Sequence, residues 1–355
     1  MRYIQVIVIL ILLVLGSWYI FAKSGVSSEE AITSISKSFN QKKNQLSSKT
    51  IPEDRQYKVD LDGDLYQWIG NSVEELTESF GKPERKDLSA YGYVWWVYTD
   101  KNEQYIQFGI QDNTILTVYA TGNNLSAEPI QIGQVYDKIN KRFEFENRVT
   151  YSTGISSYSF QLDKNEIKMR PLTKIGENVF VQCYFDTFTN KLSSIRVMTG
   201  DVLLKHRPYA MEYRGDLPDQ PELNSEQWDK VESGMEQQIF DITNVIRKQF
   251  DKKVLKWNDN VSEVAFLHSE DMAKHNYFSH YSQNGDGLKE RLAANEVYYF
   301  RAGENIAAQY PDAPAAMEGW LNSKGHREAL LNADYTDLGV GVYQLYYTQN
   351  FVQQP

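Results

Sequence analysis

The chain has 355 residues, 41% hydrophobic and 13% aromatic, which suits about two domains and is too rich in core-forming side chains for a disordered protein. Its formal net charge of −10 argues against a nucleic-acid ligand and against attachment to anionic lipid by charge alone. Cys183 is the single cysteine, so no disulfide framework exists within the chain and stability must come from the cores.

The first element is a membrane signal. After Met1-Arg2-Tyr3, the nineteen residues from Ile4 to Ala22, IQVIVILILLVLGSWYIFA, carry no formal charge, close to the roughly 20 that cross a hydrocarbon core as a helix. The eleven Ile, Leu and Val residues before Gly16 contribute on the order of −3 to −6 kcal/mol towards insertion. Ile20 stands where a cleavage site before Ala22 wants Ala or Ser, which favours an uncleaved anchor over a signal peptide. The expected topology is therefore single-pass in the cell membrane, with Arg2 and the N-terminus cytoplasmic and the domains outside; secretion after cleavage is the alternative. No cysteine follows the apolar run, which excludes lipid attachment there.

Residues 23–55 are rich in Ser, Lys and Gln, with Phe39 as their one aromatic, and read as a polar spacer. From Tyr57 to Leu204 the text turns aromatic and strand-like, with an internal echo. YIQFGIQDNTILTVYATG (105–122) lies over FVQCYFDTFTNKLSSIRVMTG (180–200) as strand, polar turn, strand, then Thr-Gly. IGNSVEELTESFGKP from Ile69 and IGQVYDKINKRFEF from Ile132 open the two halves with an Ile-Gly step and a helix. Ser72 caps the first of these helices, and Gly81 with Pro83 stops it. Tyr93, Trp95, Trp96 and Tyr98 of YGYVWWVY read as core. The expectation is a compact α+β module of two related halves, helix plus antiparallel strands, without a catalytic constellation. These segments resemble the CAP-associated N-terminal domain, a resemblance that brings no activity with it.

Residues 205–224, with Pro208, Pro218 and Pro221, read as a linker. Their Arg214-Gly215-Asp216 is too short a match to carry an adhesion function. From Ser225 a long helix is expected, with Trp228, Val231, Met235, Ile239, Ile242, Val245, Ile246 and Phe250 on one face. A second runs from Val261 to Lys274, with His268 and His275 as boundary or surface residues. Then come a loop, a helix over Leu288–Asn295, a turn at Gly303-Glu304-Asn305-Ile306, a helix over Ala313–Leu321 and a Ser-capped helix from Lys324. Strands over Leu338–Val342 and Tyr346–Val352 close the chain. Val340 and Val342 alternate with glycines, as where a neighbouring backbone crosses closely.

The ordered set YFSH, GENIA, WLNSKGHR, LGVGV and YYTQNF resembles the CAP superfamily of cysteine-rich secretory, antigen-5 and pathogenesis-related proteins, in its disulfide-free bacterial form, over residues 236–352. The resemblance implies an α-β-α sandwich over 225–355 whose central cleft gathers His280, Glu304 and His326. Ser323 stands where the fuller pattern has a second glutamate, and Glu318 is out of register for that place.

Three uses of this set stay open. Two neutral imidazoles and a carboxylate suit a divalent metal such as zinc, with His280 and His326 as ligands and Glu304 as the third. A free His with Glu304 as the candidate catalytic group can hold and deprotonate water. A buried hydrogen-bond network that ties loops to the core is the structural alternative. Asn305 is read as knitting its turn, and Arg327 as pairing with a nearby acid or solvated. No Gly-x-Ser-x-Gly or His-Glu-x-x-His motif occurs. The favoured function is a membrane-anchored extracellular binding module of a Gram-positive cell, with a cell-wall, lipid or protein ligand. A metal-dependent peptidase using His280, Glu304 and His326 is the alternative, and partner capture by the aromatic module a third.

Overall fold

The structure, a computed structural model, describes residues 65–100, 102–123 and 125–354. The expected anchor at 4–22 and spacer at 23–55 lie outside these residues. Among the described residues no helix is long and apolar enough to cross a membrane.

The amino-terminal module starts with helix α1 (Val73–Phe80) and strands β1 (Arg85–Leu88), β2 (Val94–Asp100), β3 (Gln104–Gln111) and β4 (Thr114–Gly122). After a two-residue ladder, β5 (Ser126–Ala127) with β6 (Ile130–Gln131), come α2 (Tyr136–Phe143), β7 (Arg148–Thr153), β8 (Ser156–Gln161) and α3 (Lys164–Met169). It ends with β9 (Leu172–Gly176), β10 (Val179–Asp186), β11 (Lys191–Thr199), α4 (Gly200–His206) and β12 (Ala210–Arg214). Ser72 caps α1 as expected, in a box with Glu75.

The main sheet runs β1-β2-β3-β4-β11-β10-β9, antiparallel throughout. The two echoed segments are its hairpins β3–β4 and β10–β11. They meet at the centre of the sheet, where β4 pairs with β11 from Thr121↔Ser194 to Thr117↔Met198. The echo extends to single hydrogen bonds: Gly70 N donates to Ile115 O at 2.9 Å and Gly133 N to Leu192 O at 2.8 Å. These glycines have φ of 91° and 85°, a conformation that costs glycine little and any other residue more. One face of the sheet buries Phe108 and Val181 against Leu76 of α1 and Ile139 of α2. Tyr105, Tyr119, Tyr184 and Met198 belong to a second core, which continues into Ile239, Ile242, Met317 and Trp320 of the next domain.

The expected linker is shorter than 205–224. Residues 210–214 form β12, which pairs antiparallel with β8 in a sheet ordered β12-β8-β7. Pro208 precedes the strand and so costs it no ladder bond.

The carboxy-terminal domain comprises α5 (Ser225–Gln249), β13 (Lys256–Trp257), α6 (Asp259–Lys274), α7 (Leu288–Ala294), β14 (Arg301–Ala308), α8 (Ala313–Leu321), α9 (Lys324–Leu330), β15 (Asp337–Tyr343) and β16 (Tyr346–Gln353). Its sheet is ordered β13-β15-β16-β14, with β13 parallel to β15 and the other pairs antiparallel. Helix α6 crosses one face so closely that a Cβ on Gly339 would meet Ser262 N at 2.2 Å and one on Gly341 would meet Phe266 N at 1.9 Å. Val340 and Val342 turn to the other face and join the core of α5 and α8. This is the expected α-β-α sandwich. Helix α5 serves two sheets, packing on β15 and, across the domain boundary, on β1, β3 and β4. A Cβ on its Gly234 would meet Asp87 Cβ at 2.7 Å, so glycine there permits the approach of the two domains.

The Gly303-Glu304-Asn305-Ile306 segment is a strand interior and not a turn. All eight residues of β14 pair with β16, and Gly303 is required by the ring of Tyr335, whose Oη lies 2.3 Å from the place of a Cβ.

Candidate functional site

Glu304 projects from the middle of β14 with its side chain 4% exposed. His280, in the loop between α6 and α7, places Nδ1 2.9 Å from Glu304 Oε1. Arg291 of α7 places Nη2 2.6 Å from Oε2. With its amide oriented to suit both neighbours, Asn350 donates to Oε2 at 3.1 Å and accepts from Ala265 N at 3.3 Å. Burial pushes the Glu304 carboxyl up, but the His280 hydrogen bond and the Arg291 charge outweigh it and hold the group below its usual range. Glu304 is therefore ionised, and the proton of the shared bond sits on His280 Nδ1. That leaves Nε2 as the open nitrogen of a half-exposed ring, 51% exposed.

The loop that carries His280 is held from beneath. His268 of α6 is buried and reaches the Ser279 carbonyl at 2.9 Å, and Arg291 Nη1 reaches the His280 carbonyl at 3.1 Å. Helix periodicity places both histidines at boundary or surface positions; the structure makes His268 a buried support, while His275 is exposed at the C-terminal end of α6. Arg291, His268 and Asn350 carry no local sequence signal of their role, because each is defined by what lies opposite it.

His326, on the first turn of α9, borders a cleft of about 460 Å³ together with Ser323, Trp320, Phe278, Tyr346 and the strand end from Ile306 to Tyr310. Burial first, and then the nearby His280, lower its pKa, so it faces the cleft as a neutral imidazole. Ser323 occupies the cap position of α9 without a side-chain capping bond, contrary to the expected Ser cap, and the residue borders the cleft. Asn305 ties the strand to this helix, donating to the His326 carbonyl at 3.1 Å and to Gln349 Oε1 at 3.2 Å.

The three residues expected to share a metal do not fit one. Both Glu304 oxygens already accept bonds, one of them from a guanidinium that would repel a cation, and among the described residues no group of three or more His, Cys, Asp and Glu could hold a metal ion. Of the residues expected at the site, His326 and Ser323 border the cleft, while His280 and Glu304 are not among its lining residues; what the cleft offers is a neutral imidazole and a serine beside a mixed polar and apolar lining.

Behind the cleft, α8 and α9 meet the amino-terminal module through buried charge. Arg327, adjacent to His326, makes a two-pronged pair with Asp186 of β10, both bonds at 2.9 Å. Arg196 of β11 lies 2.8 Å from Asp312 Oδ2, the two side chains 1% and 2% exposed. Arg196 also donates to His206 Nδ1 at 2.9 Å, which sends the His206 Nε2 proton to Tyr93 Oη at 2.8 Å. Burial drives His206 down to about 3, so it stays neutral there. Glu318 points away from the cleft, its carboxyl 2.6 Å from Ser193 Oγ and 2.5 Å from Ser194 Oγ. Burial raises it to about 7.

Two family profiles match the chain: the CAP-associated N-terminal domain over residues 69–209 and the cysteine-rich secretory protein family over 240–354. The uncharacterized membrane protein YlbC of Bacillus subtilis is 41% identical over 346 residues, which cover 98% of this chain and 97% of that protein. A solved extracellular protein containing a SCP domain from Bacillus anthracis is 39% identical, with a TM-score of 0.78 over 86% of this chain and 100% of its own. A cysteine-rich secretory protein from Staphylococcus aureus is 26% identical, with a TM-score of 0.72 over 81% of this chain and 94% of its own.

Proposed function

The chain belongs to the cysteine-rich secretory protein family, with a CAP-associated N-terminal domain ahead of its CAP domain, and from that premise we propose that it is a membrane-anchored binding module outside the cell. Its cleft takes a cell-surface ligand and does not cleave it. The apolar segment Ile4–Ala22 supports the anchor, as does the description of the Bacillus subtilis relative as a membrane protein. The description of the Bacillus anthracis protein as extracellular supports the side of the membrane.

The state of Glu304 carries the binding reading. Catalysis by this set needs a carboxylate free to take a proton or a metal. Glu304 is instead held ionised by His280, Arg291 and Asn350, and its work is to fix His280. A nucleophile is missing as well. Ser323 Oγ makes no hydrogen bond to either imidazole among the described residues, and Cys183 is buried in the other module.

Cosedimentation of the protein with purified Gram-positive cell walls tests the reading. Retention is expected for the native chain and for a folded Glu304→Gln variant at reduced strength, and its loss is expected for His280→Ala with His326→Ala. A fluorogenic peptide library should show no turnover. Turnover that vanishes in Glu304→Gln with the fold intact makes the protein a peptidase and overturns the proposal.

A further inference from the structure

The two halves of the amino-terminal sheet differ in their hairpin tips. In the first, Gln111 pairs with Thr114 across the two-residue turn Asp112-Asn113. In the second, Asp186 pairs with Lys191 across four residues, Thr187 to Asn190. The end of each turn does the same work. Asn113 O accepts from Val73 N, at the start of α1, at 3.2 Å, and Asn190 O accepts from Tyr136 N, at the start of α2, at 3.0 Å. Asp186 shapes the longer tip, accepting from Phe188 N at 2.9 Å and from Thr189 Oγ1 at 2.8 Å. That tip therefore carries residues that the repeat itself does not need.

The added residues reach the corner where α8 meets α9. Thr187 donates from N and from Oγ1 to Asn322 Oδ1, both at 2.8 Å. The Arg327 guanidinium lies against two rings, 4.9 Å from the centre of Phe188 and 4.8 Å from that of Phe250. Its two bonds to Asp186 fix its plane. The corner is Asn322 and Ser323 alone, and α9 has seven residues. A helix that short is marginal in water and takes its place from what packs on it. Within its own domain α9 is held by Asn305, which donates to the His326 carbonyl at 3.1 Å. Its far end is held by Arg247, which donates to the Leu330 and Asn332 carbonyls at 2.7 and 2.9 Å. The corner at its beginning is gripped by the hairpin tip.

Resting on the reading of the cleft as a ligand site, we infer that the β10–β11 tip positions the cleft wall: Thr187 and Phe188 fix the α8–α9 corner and so the places of Ser323 and His326. Each of these two cleft residues is the chain neighbour of a residue that the tip grips, Ser323 of Asn322 and His326 of Arg327. A corner released from the tip samples other arrangements, and affinity falls with the fraction of time that the competent one is populated. Thr187 and Phe188 are not among the lining residues of the cleft. The amino-terminal module thus acts on ligand binding without touching the ligand.

Phe188→Ala combined with Asn322→Ala, in the whole chain, tests the inference. The pair removes the ring and the acceptor through which the tip holds the corner and leaves every residue of the cleft lining in place. Phe188 is half-exposed and Asn322 partly so, and the fold should persist, as thermal unfolding will check. A second variant replaces Thr187 to Asn190 by Asp-Asn, the turn that the first half of the sheet already folds. It carries the test where the point variants do not fold. The first readout needs no ligand: the imidazole NMR signals of His326, assigned by their loss in His326→Ala. They should shift or broaden in both variants, while those of His275, exposed at the end of α6, stay in place. A purely structural tip would lower the unfolding temperature and leave the His326 signals alone. The second readout is retention on purified Gram-positive cell walls. Binding about fivefold weaker is expected if the released corner holds the competent arrangement about a fifth of the time. Unmoved His326 signals in a folded variant overturn the inference. With them, native retention leaves the cleft reading standing without the tip, and lost retention makes the tip itself a ligand contact. Moved signals with undiminished retention overturn it too, since the ligand then ignores the wall. A native chain that the walls do not retain counts against the cell-wall ligand, and the His326 signals still decide whether the tip positions the wall.

Discussion

Helices α8 and α9 have two sides, and residues adjacent in the chain meet opposite fates on them. Glu318 and Arg327 turn to the amino-terminal module, where Ser193, Ser194 and Asp186 meet them. Gly319, Trp320, Ser323 and His326 border the cleft. On the first side each charge that is taken out of water finds a partner from the other domain, and Asn322 adds bonds to Thr187 N and Oγ1, both at 2.8 Å. On the second side polar capacity is left open, since His326 faces the cleft as a neutral imidazole and Ser323 makes no capping bond. Completed polar groups tie these two domains together, and the incomplete ones face the candidate site. The amino-terminal module thus buries its aromatics as the back wall of the helices that border the cleft.

The largest expected effect comes from breaking a completed pair. Arg196→Met leaves Asp312 buried with its charge uncompensated, and removing one partner of such a pair costs about 3–5 kcal/mol. Urea unfolding measures it. Asp312 also caps α8 through the Ala315 N–H at 3.1 Å, so the rescuing partner is Asp312→Asn, which keeps an acceptor and drops the charge. The double variant is expected to recover more than half of the loss. No recovery would mean that the interface is held by its apolar core and that the buried charges are incidental.

A smaller and pH-dependent effect sharpens the same side of the comparison. Ser193 has one hydroxyl proton, which the Tyr184 carbonyl can accept at 2.9 Å. A Glu318 protonated on Oε2 then donates to Ser193 and leaves no oxygen of the group unpaired. Burial raises Glu318 from 4.5 to about 7 against the pull of the Ser193, Ser194 and Tyr119 hydroxyls, and the charge of Asp186 adds to the rise. A carboxyl whose folded pKa is raised binds more protons folded than unfolded, so its contribution is full below the unfolded pKa and is lost as pH climbs through about 7. At about 1.36 kcal/mol per unit this is on the order of 3 kcal/mol. Glu236, near 7, and Asp241, near 6, are raised by burial too and share the window. Native stability minus that of Glu318→Gln isolates the one group. That difference should shrink by a few kcal/mol between about pH 5 and about pH 8. A difference independent of pH would place Glu318 in a polar, hydrated setting.

What could be read in advance follows from where the information lies. Periodicity gave α5, α6 and the closing hairpin to within a residue or two, because a buried stripe needs no knowledge of its partner. The duplication in the sheet was legible for the same reason, since both halves repeat the Ile-Gly step and the hairpin that follows. Glu304 is named by the resemblance as a cleft residue but is misread locally, because Gly-Glu-Asn favours turns and only the pairing with β16 shows a strand. Arg327 could be read only as pairing with some acid or solvated, since Asp186 stands 141 residues away. The metal set fails for a related reason: the resemblance names His280, Glu304 and His326 together but says nothing of Arg291, which occupies the carboxylate first.

The smallest stability effects are expected on the open side, and they decide whether it is a site. His280 is half-exposed and reaches Glu304 by one hydrogen bond, so His280→Ala should change stability by no more than about 0.5 kcal/mol. Glu304→Gln is more disruptive. Its single acceptor oxygen must serve His280, Arg291 and Asn350 while its new N–H groups face those same donors, at a cost of about 1–3 kcal/mol. The imidazole also loses what selects its tautomer. Nitrogen chemical shifts of His280 should therefore report a proton on Nδ1 in the native chain and a mixture of tautomers in Glu304→Gln. If His280→Ala instead costs as much as Arg196→Met, the imidazole belongs to the framework, and the two sides of α8 and α9 are one structural network with no binding face.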